Sequence, residues 1–258
     1  MTELRAGSSL ASPSASPAAS VPSEDRLTGG RLLRQAFREA GQHTAHRAEV
    51  IIFAQDPDPP ALMIQHGTAY SSHAFRDGRR AIIDVFLPPD VVGIEHVVSG
   101  RLNRDVIAAS PLGYRRLPAQ TLRQLITVPE ISAYLLGLMA TAKGRVDRHV
   151  IAVTRMDAYA RLASFLLGMY HRFRRAGLIS RPTFNLDLTQ DEIGDYLGLT
   201  TVHVSRTLRR MRQERLAIFD RGAVMILDVE RLRAVAAGVS TELPSDALPQ
   251  DEPSDRAL

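Results

Sequence analysis

The sequence predicts an α+β protein: an N-terminal antiparallel β-roll, then one long helix, then a C-terminal helix-turn-helix closed by a β-hairpin. Three observations carry this. Short apolar runs separated by turn residues recur about every ten to fifteen residues through the first half. After Pro118 the hydrophobic period becomes helical. The stretch LTQDEIGDYLGLTTVHVSRTLRRM, from Leu188 to Met211, combines a capping box with two glycines placed for a tight interhelical turn.

Composition sets the limits. With 258 residues, 45% hydrophobic and 23% charged, the chain is globular and long enough for two domains. No run approaches the roughly 18 apolar residues of a membrane span, and the N-terminus lacks the continuous apolar core of a secretory signal. The expectation is a cytoplasmic protein without a membrane partner. There is no cysteine, which excludes disulfides, thiolate-held zinc, a thiol nucleophile and cysteine-bound iron–sulfur clusters together. The net charge is +4, but the last twenty residues carry −4, so the preceding 238 carry +8. Lys143 is the only lysine, so positions of arginines inform more than their number.

Taken in order, residues 1–28 are small, polar and proline-punctuated and read as a disordered tail, as does the acidic stretch 239–258. A short helix is expected from Arg31 to Ala40. The runs EVIIFA, ALMIQHG, AYSSHAF, AIIDVFL, DVIAAS and GYRRL read as strands between residues 45 and 118, with Asp77-Gly78 as a hairpin turn. Pro129 suits the first turn of a helix running to about Val153. Within it Leu135, Met139, Ala142, Val146, His149 and Val153 follow the 4, 3, 4, 3, 4 spacing of a coiled-coil seam, which points to a homodimer. The expected domains are 29–126 for the roll, 127–155 for the dimerisation helix and 156–238 for the winged helix-turn-helix.

The chemistry lies in 188–227. Thr189 and Glu192 form the capping box, Gly194 admits a second helix at close range, and Gly198 allows the left-handed turn that ends the first helix. Thr200 or Thr201 caps the second helix, and Val204, Leu208 and Met211 face inward. At 100° per residue this projects Val202, Ser205, Arg206, Arg209 and Gln213 outward, with His203 and Arg210 on the flanks. An outward face of guanidinium and short polar groups fits the DNA major groove, where arginine donates twice to guanine O6 and N7. LAIFD and AVMIL around Arg221-Gly222 form a hairpin, the wing, whose tip is placed for phosphate.

From these residues the chain resembles the Crp/Fnr family of bacterial transcription regulators over about residues 30 to 237. DGRRAIIDVF and FLPPDVVG look like the sensor hairpin and following turn of its cyclic-nucleotide-binding-like roll. The resemblance implies double-stranded DNA as partner, RNA polymerase as a candidate second partner, and an unknown small-molecule effector or none. It implies base contacts from Val202, Ser205 and Arg206, beside which the helix projection places His203 and Arg209, while Thr189, Gln190, Thr200, Thr201, Arg210 and Arg221, at helix starts, flanks and wing tip, are expected to meet the DNA backbone. Several members carry glutamate where Val202 stands, so base preference there should differ. Gly93, Glu95 and Arg104 are the effector-pocket candidates. In nucleotide-binding members a Gly-Glu pair and an Arg-Ser or Arg-Thr pair grip the ligand. Here Ile94 intervenes before Glu95 and Asp105 follows Arg104, setting a carboxylate beside an incoming phosphate.

The alternatives are a cyclic-nucleotide-responsive regulator, a haem-responsive one using His43, His46, His66, His73 or His96, and a cupin-like metal enzyme. The enzyme would need a His-x-His pair with a nearby carboxylate, and His66 and His73 are seven apart. Nor does the sequence carry a nucleophile elbow or a phosphate-cradling glycine loop. The expectation is therefore a non-enzymatic regulator without metal or cofactor.

Overall fold

The structure, a computed structural model, describes residues 23–100 and 104–238, with backbone alone for 23–27. The expected acidic tail at 239–258 and residues 1–22 of the expected N-terminal tail lie outside the described residues. Residues 23–28, expected in that tail, belong instead to helix α1 (Ser23–Glu39), which begins eight residues before the expected Arg31. Gly29 and Gly30 weaken a helix in isolation. Here Gly29 lies so close to the following long helix that a Cβ would meet Glu130 O at 1.9 Å, so tertiary contact extends α1 through the glycines.

The roll comprises β1 (Gly41–Ala45), β2 (Val50–Ile52), β3 (Ala61–His66), β4 (Ala69–Ala74), β5 (Arg80–Phe86) and β6 (Val91–Val92), then helix α2 (Ile94–Ser99), β7 (Asp105–Ala108) and β8 (Leu112–Leu117). These strands form two antiparallel sheets, ordered β1-β8-β3-β6 and β2-β7-β4-β5. The β4–β5 hairpin turns at the expected Asp77-Gly78, with Gly78 at φ +84°. Between the sheets pack Ile52, Leu62, Ile64, Phe86, Val106 and Leu112. On the outer face of the first sheet α1, α2, α3 (Ala119–Leu125) and α4 (Pro129–Arg155) bury Leu33, Phe37, Ile94, Leu122, Ile131 and Leu135.

After α4, helix α5 (Ala158–Arg175) is capped by Asp157, whose side chain accepts from Ala160 N. Strand β9 (Thr183–Asn185) joins β10 (Ala217–Asp220) and β11 (Ala223–Ile226) in the order β10-β11-β9. Around this sheet pack α5, α6 (Gln190–Leu197), α7 (Thr201–Gln213) and α8 (Val229–Ala236). Their core continues into the roll through Tyr70, Ile82, Val85 and Leu87. One face of the roll thus packs into the core of the C-terminal half, while the roll keeps two apolar clusters of its own.

The expected seam on α4 needs correction at two positions. Leu135 is 3% exposed and packs in its own chain's roll, so it has no surface left for a partner. His149 turns inward and stacks on Tyr196 of α6, centroids 4.3 Å apart. The apolar row left uncovered on α4 runs through Leu136 (65% exposed), Met139, Val146 and Val150 (50% exposed). Helical spacing fixed the stripe's pitch, while α1 decided which edge of it is covered.

His96 sits in α2, buried, with neither ring nitrogen hydrogen-bonded among the described residues. Burial pushes its pKa below 6.5, and the same direction holds for His149 and His171. The unfolded chain therefore binds protons that the fold refuses, and stability, full above about pH 6.5, falls as pH drops below that value. His96→Leu should flatten this loss. Melting curves between about pH 7.5 and 5.5 would measure it, and an unchanged slope in the variant would contradict the assignment.

Candidate nucleic-acid interface

Local chemistry builds the helix-turn-helix. Thr189 Oγ1 accepts from Glu192 N at 3.1 Å and Glu192 Oε2 accepts from Thr189 N at 2.7 Å, the complete capping box of α6. Gly194 lies against the turn so tightly that a Cβ would meet Leu199 O at 2.6 Å. Gly198 ends α6 at φ +64°, a conformation that a side chain would strain. Thr200 caps α7 by accepting from His203 N. On α7, Val204, Thr207, Leu208 and Met211 are buried, which aims the opposite face at solvent.

That face carries Val202, 65% exposed, with His203, Arg206 and Arg209 exposed and Ser205 half-buried beside them. Among the described residues no carboxylate pairs with Arg206, Arg209 or Arg212. At the hairpin tip Arg221 is exposed at φ +47° and Gly222 follows at φ +86°, as a tight hairpin turn requires. The structure thus brings the α7 residues to one surface. The flanking positions differ in freedom. Thr189 spends its hydroxyl on the cap, Gln190 is half-buried, and Thr201 Oγ1 donates to Asp191 Oδ1 at 2.5 Å.

Arg210 is tethered more firmly. Its guanidinium lies 4.2 Å from the centroid of the Tyr159 ring, and Nε donates to Glu214 Oε1 at 2.7 Å. Tyr159 donates its hydroxyl to the same carboxylate. Burial first, then that hydrogen bond, pushes the Tyr159 pKa up, so the phenol stays protonated. Burial opposes charge on Glu214, but the bonds from Tyr159 and Arg210 outweigh it and hold the carboxyl below its usual range.

The sequence did not single out Arg47 and Arg80, which join the roll to the helix-turn-helix. Arg47 pairs with Glu192 at 2.7 Å and also donates to Asp187 O at 2.9 Å and to Ala109 O. Arg80 pairs with Asp195 at 2.7 Å and donates to the Tyr70 hydroxyl. The paired carboxylates lie 145 and 115 residues from their arginines, which leaves no local signal.

The effector candidates meet at the mouth of α2. Gly93 has φ +89°, and a Cβ there would meet Pro60 O at 2.7 Å. Glu95 and Arg104 pair with each other, while Asp105 turns away and accepts from Ala54 N at 2.8 Å. The arginine expected to meet a ligand therefore already holds a carboxylate. Of the sensor histidines, His43 stacks on Tyr114 and His73 meets Phe75 edge-on. Among the described residues no three His, Cys, Asp or Glu side chains stand where a metal ion could be held, and no single helix is long and apolar enough to cross a membrane.

Comparison with known proteins places this geometry. Residues 160–235 match the Crp-like helix-turn-helix domain family, a segment spanning nearly all of α5 and continuing through α8. The chain is 26% identical over 193 residues to the transcriptional activator protein anr of Pseudomonas aeruginosa, covering 74% of this chain and 79% of that one. It is also 26% identical over 208 residues to the transcriptional activatory protein AadR of Rhodopseudomonas palustris, covering 79% and 84%. Among solved structures it resembles FixK2 from Bradyrhizobium japonicum, with a TM-score of 0.69, 25% identity and coverage of 76% and 96%. The chain is similar to DNA-binding transcription regulators of the Crp/Fnr type over most of its length, and its helix-turn-helix matches their Crp-like domain. A mutant of CooA from Carboxydothermus hydrogenoformans, 14% identical with a TM-score of 0.63, shares the fold. In this chain the roll, long helix and winged helix-turn-helix follow the order expected from sequence.

Proposed function

We propose that this regulator binds an inverted-repeat operator as a homodimer, with α7 in the major groove and the β10–β11 hairpin on the backbone. The observation that carries the reading is the outward face of α7, cationic and unpaired on a helix fixed from behind by Val204, Leu208 and Met211. Arg206 reads guanine, Arg209 and Ser205 flank it, and Val202 offers an apolar contact that suits a thymine methyl. His203 borders the same edge. Thr189, Gln190, Thr200, Thr201 and Arg221 face phosphates from helix starts and the wing, while Arg210 reaches the backbone only by leaving Tyr159. The exposed row on α4 supports pairing with a second copy, and a twofold axis would set half-site centres about 34 Å apart. The working compartment is the cytoplasm, where such operators lie.

Selection from random duplexes would define the operator. Against it Arg206→Ala should cost about 1–3 kcal/mol and relax preference at one position. Arg221→Ala should instead weaken all duplexes alike and flatten the salt dependence by about one unit. If Arg206→Ala kept the parent's ratio of specific to random binding, α7 would not be reading bases through that residue.

A further inference from the structure

Between the roll, the long helix and the DNA-binding half lies a cleft of about 530 Å³, within the range of small-molecule sites. One wall is the loop Leu87 to Asp90 after β5, another is α4 through Arg145, Arg148 and His149, and the floor is α5. Tyr196 and Leu197 of α6 close the inner end. The cleft is separate from the Gly93, Glu95 and Arg104 cluster, none of which lines it. It also avoids the apolar row on α4, because nine residues separate Leu136 from Arg145, half a turn at 100° per residue.

Its charge is lopsided. Arg145, Arg148, Arg161, Arg172 and Arg175 line it, against one lining carboxylate, Asp90. Arg145 is held by Asp84 at 2.7 Å and Arg172 by Asp90 at 2.5 Å, while Arg161 donates to the carbonyls of Val153, Met156 and Leu197. Arg148 and Arg175 remain, exposed at the rim, with no ion pair among the described residues. The field is felt locally. His171, on the lining, is held below its usual pKa by burial first and then by Arg233, Arg175 and Arg174.

The floor is open as well. Ser164 and Gly168 stand one turn apart on α5, and a Cβ added at Gly168 would meet nothing within 4 Å. Around this space Leu87, Phe165, Leu167 and Met169 supply apolar surface. We propose that the cleft is a binding site for a small organic anion, a flat apolar body resting over Gly168 with a phosphate or carboxylate group held by Arg148 and Arg175. Guanidinium forks suit such groups, since each donates two parallel hydrogen bonds. A ligand seated there touches the roll, the long helix and the first helix of the helix-turn-helix at once.

The test uses the full chain with 1-anilinonaphthalene-8-sulfonate, a flat apolar anion, as fluorescent probe. Two variants address different walls: Arg148→Glu with Arg175→Glu reverses the rim charge, and Gly168→Leu fills the floor without altering charge. Both sites are open or exposed, and far-UV circular dichroism checks each fold. The expected result is one saturable site per chain, weakened at least about tenfold by either change, and unaltered by Arg38→Glu with Arg116→Glu elsewhere on the surface. Displacement by adenosine monophosphate would assign a phosphate ligand, and displacement by 2-naphthoate a carboxylate. Binding that survives both variants would overturn the proposal. So would loss in the charge variant alone, which would mark general surface attraction.

Discussion

Val146→Asp combined with Val150→Asp should leave a folded monomer that no longer holds a full operator tightly. Both side chains stand uncovered on α4, in one row with Leu136 and Met139. In a homodimer built on that row, the substitutions would bring carboxylates of two copies together in an apolar seam, at a cost of several kcal/mol because neither is paired or hydrated. Sedimentation should report the single chain, circular dichroism an unchanged helix content, and footprinting a weak, salt-sensitive half-site. Leu135→Asp should behave differently. That side chain is buried among Leu33, Phe37 and Ile131 of its own chain, so its replacement should lower the melting temperature of the whole protein. A double variant that still sediments as a dimer and protects the full palindrome would place the dimer contact elsewhere.

Gly194→Val should abolish operator binding by forcing α6 and the interhelical turn apart. The first side-chain carbon alone would stand 2.6 Å from Leu199 O, a backbone atom pinned by the Leu199 N to Gly194 O hydrogen bond. Overpacking of this kind costs about 1–3 kcal/mol or more. Because the helix-turn-helix core is continuous with Tyr70, Ile82 and Leu87 of the roll, the loss should appear in the main melting transition. Gly168→Ala is the control. It meets open space within a helix, where replacing glycine with alanine gains about 0.5–1 kcal/mol, so that variant should melt higher. Equal melting and DNA affinity in Gly194→Val would show that the two helices do not need their close approach.

The DNA-binding half was legible because its signals are local. A capping box spans three residues, Gly198 answers a single backbone angle, and the Val204, Leu208, Met211 stripe repeats within one helix. Helix α5 was equally readable, since Leu162, Phe165, Met169 and Phe173 follow helical spacing, but that stripe was not singled out from sequence. Strand β9, three residues long, offers too few positions for a period to register. α1 shows the opposite limit. Its glycines argue against a helix by propensity, and contact with Glu130 outweighs that preference.

The order of roll, long helix and winged helix-turn-helix, and the residues presented by α7, follow from the amino-acid pattern, because periodicity and caps act within a few residues of one another. Which edge of α4 is free depends on long-range packing, and the three-dimensional fold reveals it. Leu135 and Leu136 are adjacent in sequence and differ because α1 and the roll cover one and not the other. It alone also paired Arg47 with Glu192 and Arg80 with Asp195, and gathered five arginines around one cleft. These relations join residues that chain connectivity keeps far apart, and only packing brings their charges within reach.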